Sequence, residues 1–208
     1  MDGMKKSFSR LCLVGALVGG LSLSACASDD STTLFGYVPP STKNSASISV
    51  TEAGASTPFE LRAAPDEMLI VYFGYTHCPD VCPTTLVAIK NAKKKVGAAL
   101  ADRVDLAMVT VDPERDTAEV LPRYLSSFTD KFHALVPASE SELRAAEKPF
   151  GATSSVTKTD GEVKVVHGGT AYIVDSKGDV VVEWPFGLDA ASMAHDIQVL
   201  LDKGKANT

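Results

Sequence analysis

The chain has 208 residues, with 26 acidic against 20 basic side chains and a formal charge of -6. At 45% hydrophobic it can bury one adequate core, while its acidic balance argues against nucleic acid and against electrostatic attachment to anionic lipid. Neither figure points to a chemistry, which has to come from the order of particular residues.

The first segment reads as an address. Lys5, Lys6 and Arg10 form a basic stretch, and Leu11 to Leu23 is apolar and glycine-rich, about as long as a secretory h-region and too short for a comfortable membrane span. Leu23-Ser24-Ala25-Cys26 resembles a bacterial lipoprotein cleavage box. Residues 1–25 are therefore expected to be a lipoprotein signal peptide, with Cys26 lipidated as the new N-terminus and the domain facing the periplasm. The alternative is ordinary secretion, with cleavage near Ala25 or Ala27 and a spare thiol. Cys12 is lost either way. Cleavage after Ala25 leaves 183 residues and removes three cations and one anion, so the charge becomes -8.

From 26 to 56 the composition is rich in Ser, Thr and Ala, with Pro39-Pro40 and few large apolar residues, and it reads as a flexible tether. About thirty such residues reach roughly 30 Å. Ala46 to Val50 is the part that could add an edge strand or hairpin. The domain is expected to span 57–208.

Beyond the tether, strands and helices alternate. Phe59 to Leu61 suggests a short strand and Met68 to Phe73 a buried one, followed by a helix from Pro83 to Leu100 with Leu86, Ile89, Val96 and Leu100 as its apolar stripe. Val104 to Val111 reads as another buried strand. Asp116-Thr117 is expected to cap a helix through Val120, Leu121, Tyr124 and Phe128, with Pro122 in its first turn. Phe132 to Val136 is a short strand, and Ser139 with Glu142 makes a capping box for a helix ending near Phe150. Val163 to Val166, Thr170 to Val174 and Val180 to Trp184 read as strands, the last two joined by a turn at 175–179, and Asp189 to Leu201 as the closing helix. The fold class is α/β, a mixed central sheet flanked by helices on both faces.

Cys78 and Cys82 are the only thiols left in the exported body, where disulfides persist. They enclose only three residues, too few to staple a domain. Metal binding and redox exchange both remain open. The pair sits where an apolar strand meets a helix, with Pro83 suited to a first helical turn, and a helix N-terminus favours thiolate.

Three blocks carry a family resemblance: Tyr72-Phe73-Gly74-Tyr75-Thr76-His77-Cys78-Pro79-Asp80-Val81-Cys82-Pro83, Val111-Asp112-Pro113-Glu114-Arg115-Asp116-Thr117, and His167 ahead of Ala171-Tyr172-Ile173-Val174-Asp175. In this order they resemble the SCO/SenC copper proteins over about 57–202. The resemblance implies a thioredoxin-like fold, copper ligation by Cys78, Cys82 and His167, and a role in cytochrome c oxidase assembly with subunit II as client. Other copper chaperones and thioredoxin-like reductants are further implied partners. Two thiolates and an imidazole suit Cu(I), and hold Cu(II) when water or a fourth ligand completes the site. His167 is 89 positions after Cys78, so only the fold can join them.

Where thioredoxins carry a proline against the dithiol, this chain has Gly169-Thr170, so Gly168 and Gly169 are expected to leave open space above the sulfurs. Asp112 is expected in a supporting position around the site. His77 adjoins Cys78 but is expected to pack in the loop, and His133 and His195 have no motif support. Trp184-Pro185-Phe186 reads as a lid or core edge. The competing function is a thiol-disulfide oxidoreductase, with Cys78 attacking and Cys82 resolving through a reversible disulfide. A redox or copper sensor is the third.

Overall fold

The apolar run that ends at the cysteine loop is the middle strand of a five-stranded sheet. The computed structural model describes residues 32–206. The readings at Cys12, at Cys26 and of the signal peptide lie outside the described residues. In chain order the elements are β1 (Ser49–Val50), β2 (Phe59–Glu60), β3 (Met68–Gly74), α1 (Val81–Val96), α2 (Ala98–Ala101), β4 (Val104–Thr110), α3 (Val120–Leu125), β5 (Phe132–Leu135), α4 (Glu140–Glu147), β6 (Ser154–Thr159), β7 (Glu162–His167), β8 (Ala171–Val174), β9 (Val180–Trp184) and α5 (Ala190–Ala206). Among the described residues no helix is long and apolar enough to cross a membrane.

The sheet runs β5-β4-β3-β8-β9. β3, β4 and β5 are parallel, whereas β8 and β9 are each antiparallel to their inner neighbour. Every residue of β3 is buried, which requires cover on both faces. The period of two then divides its side chains. Met68, Ile70 and Tyr72 pack with Leu86 and Ile89 of α1, Leu121 and Leu125 of α3, and Ile197 and Leu201 of α5. Leu69, Val71 and Phe73 pack with Leu143 and Ala146 of α4, and with Phe150, Val50 and Leu61. This is the thioredoxin-like α/β arrangement with an added N-terminal hairpin.

Several elements depart from the sequence reading for identifiable reasons. The first helix breaks at Gly97, whose φ of +82° leaves the helical region, although Val96 and Leu100 still pack on the same core. Asp116 does not cap α3, because its carboxylate is spent on the cysteine loop. Ser139 accepts from Glu142 N as expected, but the Glu142 carboxylate takes the N–H groups of Thr51 and Ala138 instead of closing the box. Strand β6 was not expected. It pairs with β7 through Asp160 and Gly161, both at positive φ, the two-residue turn that an Asp-Gly pair favours.

The largest departure concerns the tether. Residues 33–53 are laid along the domain and cover both edges of the sheet. Tyr37 and Asn44 bridge to Glu183 and Asp179 beside β9, while Glu52 bridges to Leu135 of β5. Ser45 and Val50 are fully buried, and Gly36 lies so close to Trp184 and Val182 that a Cβ there would collide with both side chains. Buried Asp196 accepts from Phe35 N, Gly36 N and Trp184 Nε1 at 2.8, 2.9 and 2.9 Å. The flexible reading therefore fails for these residues: unpaired strand edges and a buried carboxylate claim a segment that has no regular apolar period of its own. Of the expected stretch from Ala46 to Val50, only Ser49–Val50 is strand, and it pairs with β2 in a separate two-stranded sheet.

Deleting residues 32–45 should cost stability, because Asp196 loses two of its three donors while staying buried. At about 1.5–3 kcal/mol for each hydrogen bond to a charge, the loss is roughly 3 kcal/mol or more, read by urea unfolding. Unchanged stability would show that the strap is only resting on the surface.

Candidate metal centre

The site stands where the carboxyl end of β3 meets the N-terminus of α1. Gly74 ends the strand, and a Cβ there would lie 2.9 Å from Cys82 Sγ and 2.8 Å from Tyr72 Cε1. Only a glycine lets the second sulfur tuck against the strand. Cys82 is the second residue of α1 and fully buried, while Cys78 is half-buried in the preceding loop. Cys82 N donates to Cys78 Sγ at 3.4 Å, so the sulfur takes the role at the helix start that an oxygen usually fills. Asp80 holds the capping position but makes no side-chain cap; its Oδ1 accepts from Thr84.

His167 comes from the last residue of β7, across the opening. Its Nδ1 lies 2.7 Å from Gly168 O. A carbonyl only accepts, so Nδ1 carries the proton and Nε2 is the nitrogen turned to the sulfurs. Nε2 lies 3.5 Å from Cys82 Sγ. One donor atom from each of Cys78, Cys82 and His167 falls within 4.8 Å of the others, a spacing that could hold one metal ion. Among the described residues this is the one such grouping.

The two thiols are electronically unequal. Burial opposes ionisation of Cys78, but favourable contact with His167, the backbone N–H groups of Cys82 and Asp80, and the Cys82 side chain outweigh it and bring the thiol down to about 7. Burial pushes Cys82 up to about 12, and the neighbouring Cys78 adds to the rise. One sulfur is thus ready to ionise near neutral pH and half-accessible, and the other is a protonated reserve beneath it.

The surrounding wall is aromatic. Tyr75 meets the His167 ring edge-on at 5.5 Å and Tyr72 does so at 6.4 Å. Arg115 lies over Tyr75, 5.8 Å from its centroid, and is paired with buried Asp112. Asp112 is thus three contacts away from the histidine. The acid that touches the cysteine loop itself is Asp116, which is fully buried. It accepts from Thr76 N at 2.9 Å, Thr76 Oγ1 at 2.6 Å and Thr110 Oγ1 at 2.7 Å, tying the loop to the end of β4. In the sequence it has the look of a helix cap; the signal for this other role is two threonines, one ending a strand and one opening the loop.

The remaining candidates lie elsewhere. His77 faces Thr76 and Asp116 and not the sulfurs. His133 is stacked on Phe59 and held between Glu52 and Asp105, and His195 meets Thr33 O. Trp184 is core, whereas Phe186 is half exposed beside the site. Gly168 has open space around it, but Gly169 does not: a Cβ there would lie 2.9 Å from Phe186 and 3.0 Å from Val81. The expected opening is therefore at 168 alone.

Replacing Asp116 by Ala leaves the Thr76 N–H and two hydroxyls without their acceptor. The expected cost is about 3 kcal/mol in denaturant unfolding, and, with the loop loosened, Cu(I) affinity about tenfold weaker by competition titration. A variant of normal stability and affinity would remove Asp116 from the support of the loop.

Comparisons with known proteins agree with this geometry. A family model described as SCO1/SenC matches residues 56–202. A putative copper-binding protein of Stutzerimonas stutzeri is 32% identical over 124 residues, covering 59% of this chain and 60% of that protein. The chain therefore matches about three-fifths of that curated relative's length. The solution structure of apo Sco1 from Thermus thermophilus superposes with a TM-score of 0.64 at 30% identity, covering 85% of this chain and 98% of its own. The copper-bound ScoI of Bradyrhizobium japonicum gives 0.63 at 28% identity, covering 73% and 95%.

Proposed function

The chain belongs to the SCO1/SenC family, and we propose that it is a membrane-tethered copper metallochaperone serving the dinuclear copper centre of cytochrome c oxidase subunit II. Copper is the cargo, and Cys78, Cys82 and His167 are its ligands. The observation that carries this reading is the convergence of two sulfurs and an imidazole nitrogen within 4.8 Å at an accessible end of the sheet. The donor set fits the ion: thiolates and imidazole favour Cu(I), and an open side leaves room for water or an incoming ligand. The copper-bound relative from Bradyrhizobium japonicum supports the same assignment.

Transfer then proceeds by ligand exchange. A client thiolate enters on the open side near Gly168, displacing one protein ligand at a time, so the ion never needs to be free. Half-exposed Cys78 and peripheral His167 are placed to let go before buried Cys82. Anchoring through acylated Cys26, after loss of residues 1–25, holds the domain in the periplasm beside a membrane-bound client.

A second reading, thiol-disulfide exchange, is favoured by the difference between the two thiols. Cys78 thiolate attacks a client disulfide and expels one client thiolate. The Cys82 thiol then gives up its proton and attacks the Cys78 sulfur, closing the Cys78-Cys82 disulfide and releasing the second client sulfur, which takes up that proton as a thiol. The client gains two electrons, and an external dithiol must restore the domain.

The ionisation of Cys78 makes a direct pH prediction. Its thiol lies below the ordinary cysteine value, so thiolate dominates above about pH 7 and is lost as pH falls through that point. Iodoacetamide modification of the metal-free protein should rise through a midpoint near 7 and level off, with Cys78 labelled and Cys82 spared. A midpoint near 9 would contradict the contacts described around Cys78.

The two readings separate by experiment. Oxidase assembly in a strain carrying His167→Ala should fail under copper delivery and persist under pure thiol reduction. Restoration of oxidase in a deletion strain by added copper would favour delivery.

A further inference from the structure

The strap enters the domain at the same end of the sheet at which the cysteine loop stands. Val71 of β3 pairs with Tyr172, Tyr172 with Glu183, and Glu183 with Tyr37, so these four share one rung. Three strand spacings of about 4.8 Å place Tyr37 roughly 14 Å from Val71 along that rung. Each step along it is antiparallel, so going back from Tyr37 towards Thr33 runs the same way as going forward from Val71 to Tyr75. From Tyr37 the strap therefore heads towards the end of the sheet that carries the cysteine loop, bending at Phe35 and Gly36 to meet α5.

The strap is held there, not draped. Phe35 N and Gly36 N are bound by Asp196, Thr33 O meets His195, and Gly36 fits against Trp184. Yet three of its apolar side chains stay largely exposed: Phe35 is 61%, Tyr37 56% and Val38 55% exposed, although the Phe35 ring also meets His195 edge-on at 5.0 Å. Phe186, 47% exposed beside the loop, belongs to the same end. Contiguous exposed apolar residues of this kind mark a contact surface. Phenyl, phenol and isopropyl groups exposed within four positions, with no charged residue from 34 to 38, suit the headgroup boundary of a bilayer.

The length of chain ahead of the strap favours lipid as the occupant. Cys26 and Thr33 are seven positions apart, at most about 25 Å when fully extended. We propose that Phe35, Tyr37 and Val38, on the β9 edge, form a membrane-contact patch that, together with the acyl group on Cys26, turns the β9 edge beside the cysteine loop towards the bilayer surface. The proposal rests on the lipid-anchor reading. Because the domain is acidic, the contact is apolar and needs no anionic lipid. A site held in this way meets the membrane-proximal face of its client, whereas a thirty-residue tether would leave every orientation open.

The test uses the full, lipidated chain in vesicles of phosphatidylcholine and phosphatidylethanolamine, with and without bromine on the acyl chains. Phe35→Trp reports the patch, Ala64→Trp reports the opposite end, and the unmodified chain gives the background of buried Trp184. The expected result is co-flotation of all three chains, a blue shift and bromine quenching of emission at position 35, and neither at 64. Tyr37→Trp carries the same expectation and guards against a folding defect peculiar to Phe35→Trp. Flotation without quenching at 35 or 37 overturns the patch while leaving the anchor intact. Equal quenching at 64 overturns the orientation. A chain that does not float overturns the anchor and the proposal together.

Discussion

Replacing His167 by Ala is expected to weaken Cu(I) binding by at least about 100-fold while leaving the fold and the Cys78-Cys82 disulfide intact. Loss of a supporting contact alone costs 10–100-fold at metal sites, so loss of a ligand sets that range as a floor. The fold should survive, because His167 ends a solvent-exposed hairpin and its contacts are the Gly168 carbonyl, the Cys82 sulfur and the edges of Tyr72 and Tyr75. Of these, Tyr72 and Cys82 belong to the core, but both keep their cluster with Leu86 and Met108 when the imidazole is removed. Competition titration against a Cu(I) chelator measures the affinity, and thiol counting after mild oxidation measures the disulfide. Unchanged affinity would take His167 out of the site and leave a two-sulfur centre.

Substitution of the sulfurs should separate binding from stability. Cys78→Ser is expected to abolish both tight Cu(I) binding and disulfide formation with little change in unfolding, since its sulfur is half-accessible and a hydroxyl there can still accept from Cys82 N. Cys82→Ser should lose the same two activities and about 1–3 kcal/mol as well, because a hydroxyl replaces a sulfur packed among Tyr72, Leu86 and Met108, where burial leaves polar groups costly. The pair of variants thus has one functional signature and two stabilities. Equal stabilities would mean that Cys82 is less enclosed than its packing indicates.

Much of this was legible in residue order, for reasons that differ by element. β3 is apolar throughout, and β4 is so except for Asp105 and Thr110, because both faces of a central strand are covered, and a run of that kind announces itself. The cysteine loop was legible because strand, thiols and Pro83 follow one another in sequence. The approach of His167 was not: it depends on β7 ending across from α1, which no local pattern encodes, and the family resemblance alone pointed to it. Asp116 misled because an Asp-Thr pair before an apolar run is also how helices start, and only the fold shows Thr76 and Thr110 competing for its carboxylate. The strap was missed because its binding is mostly backbone. Phe35, Gly36 and Tyr37 are held through main-chain groups, and side-chain composition carries little trace of that.

The strap also changes what a soluble domain should contain. A fragment starting at residue 46 would discard the contacts to Asp196 and β9, so one starting at residue 32 is the suitable material. Titrating residues 32–208 with copper, anaerobically for Cu(I) and then as the Cu(II) form, tests the central claim most directly. One equivalent should bind tightly, and the Cu(II) form should show a strong sulfur-to-copper charge-transfer band that Cys78→Ser removes. Weak binding, or a tight equivalent whose spectrum lacks that band and is indifferent to Cys78, would contradict a copper centre built on these two cysteines.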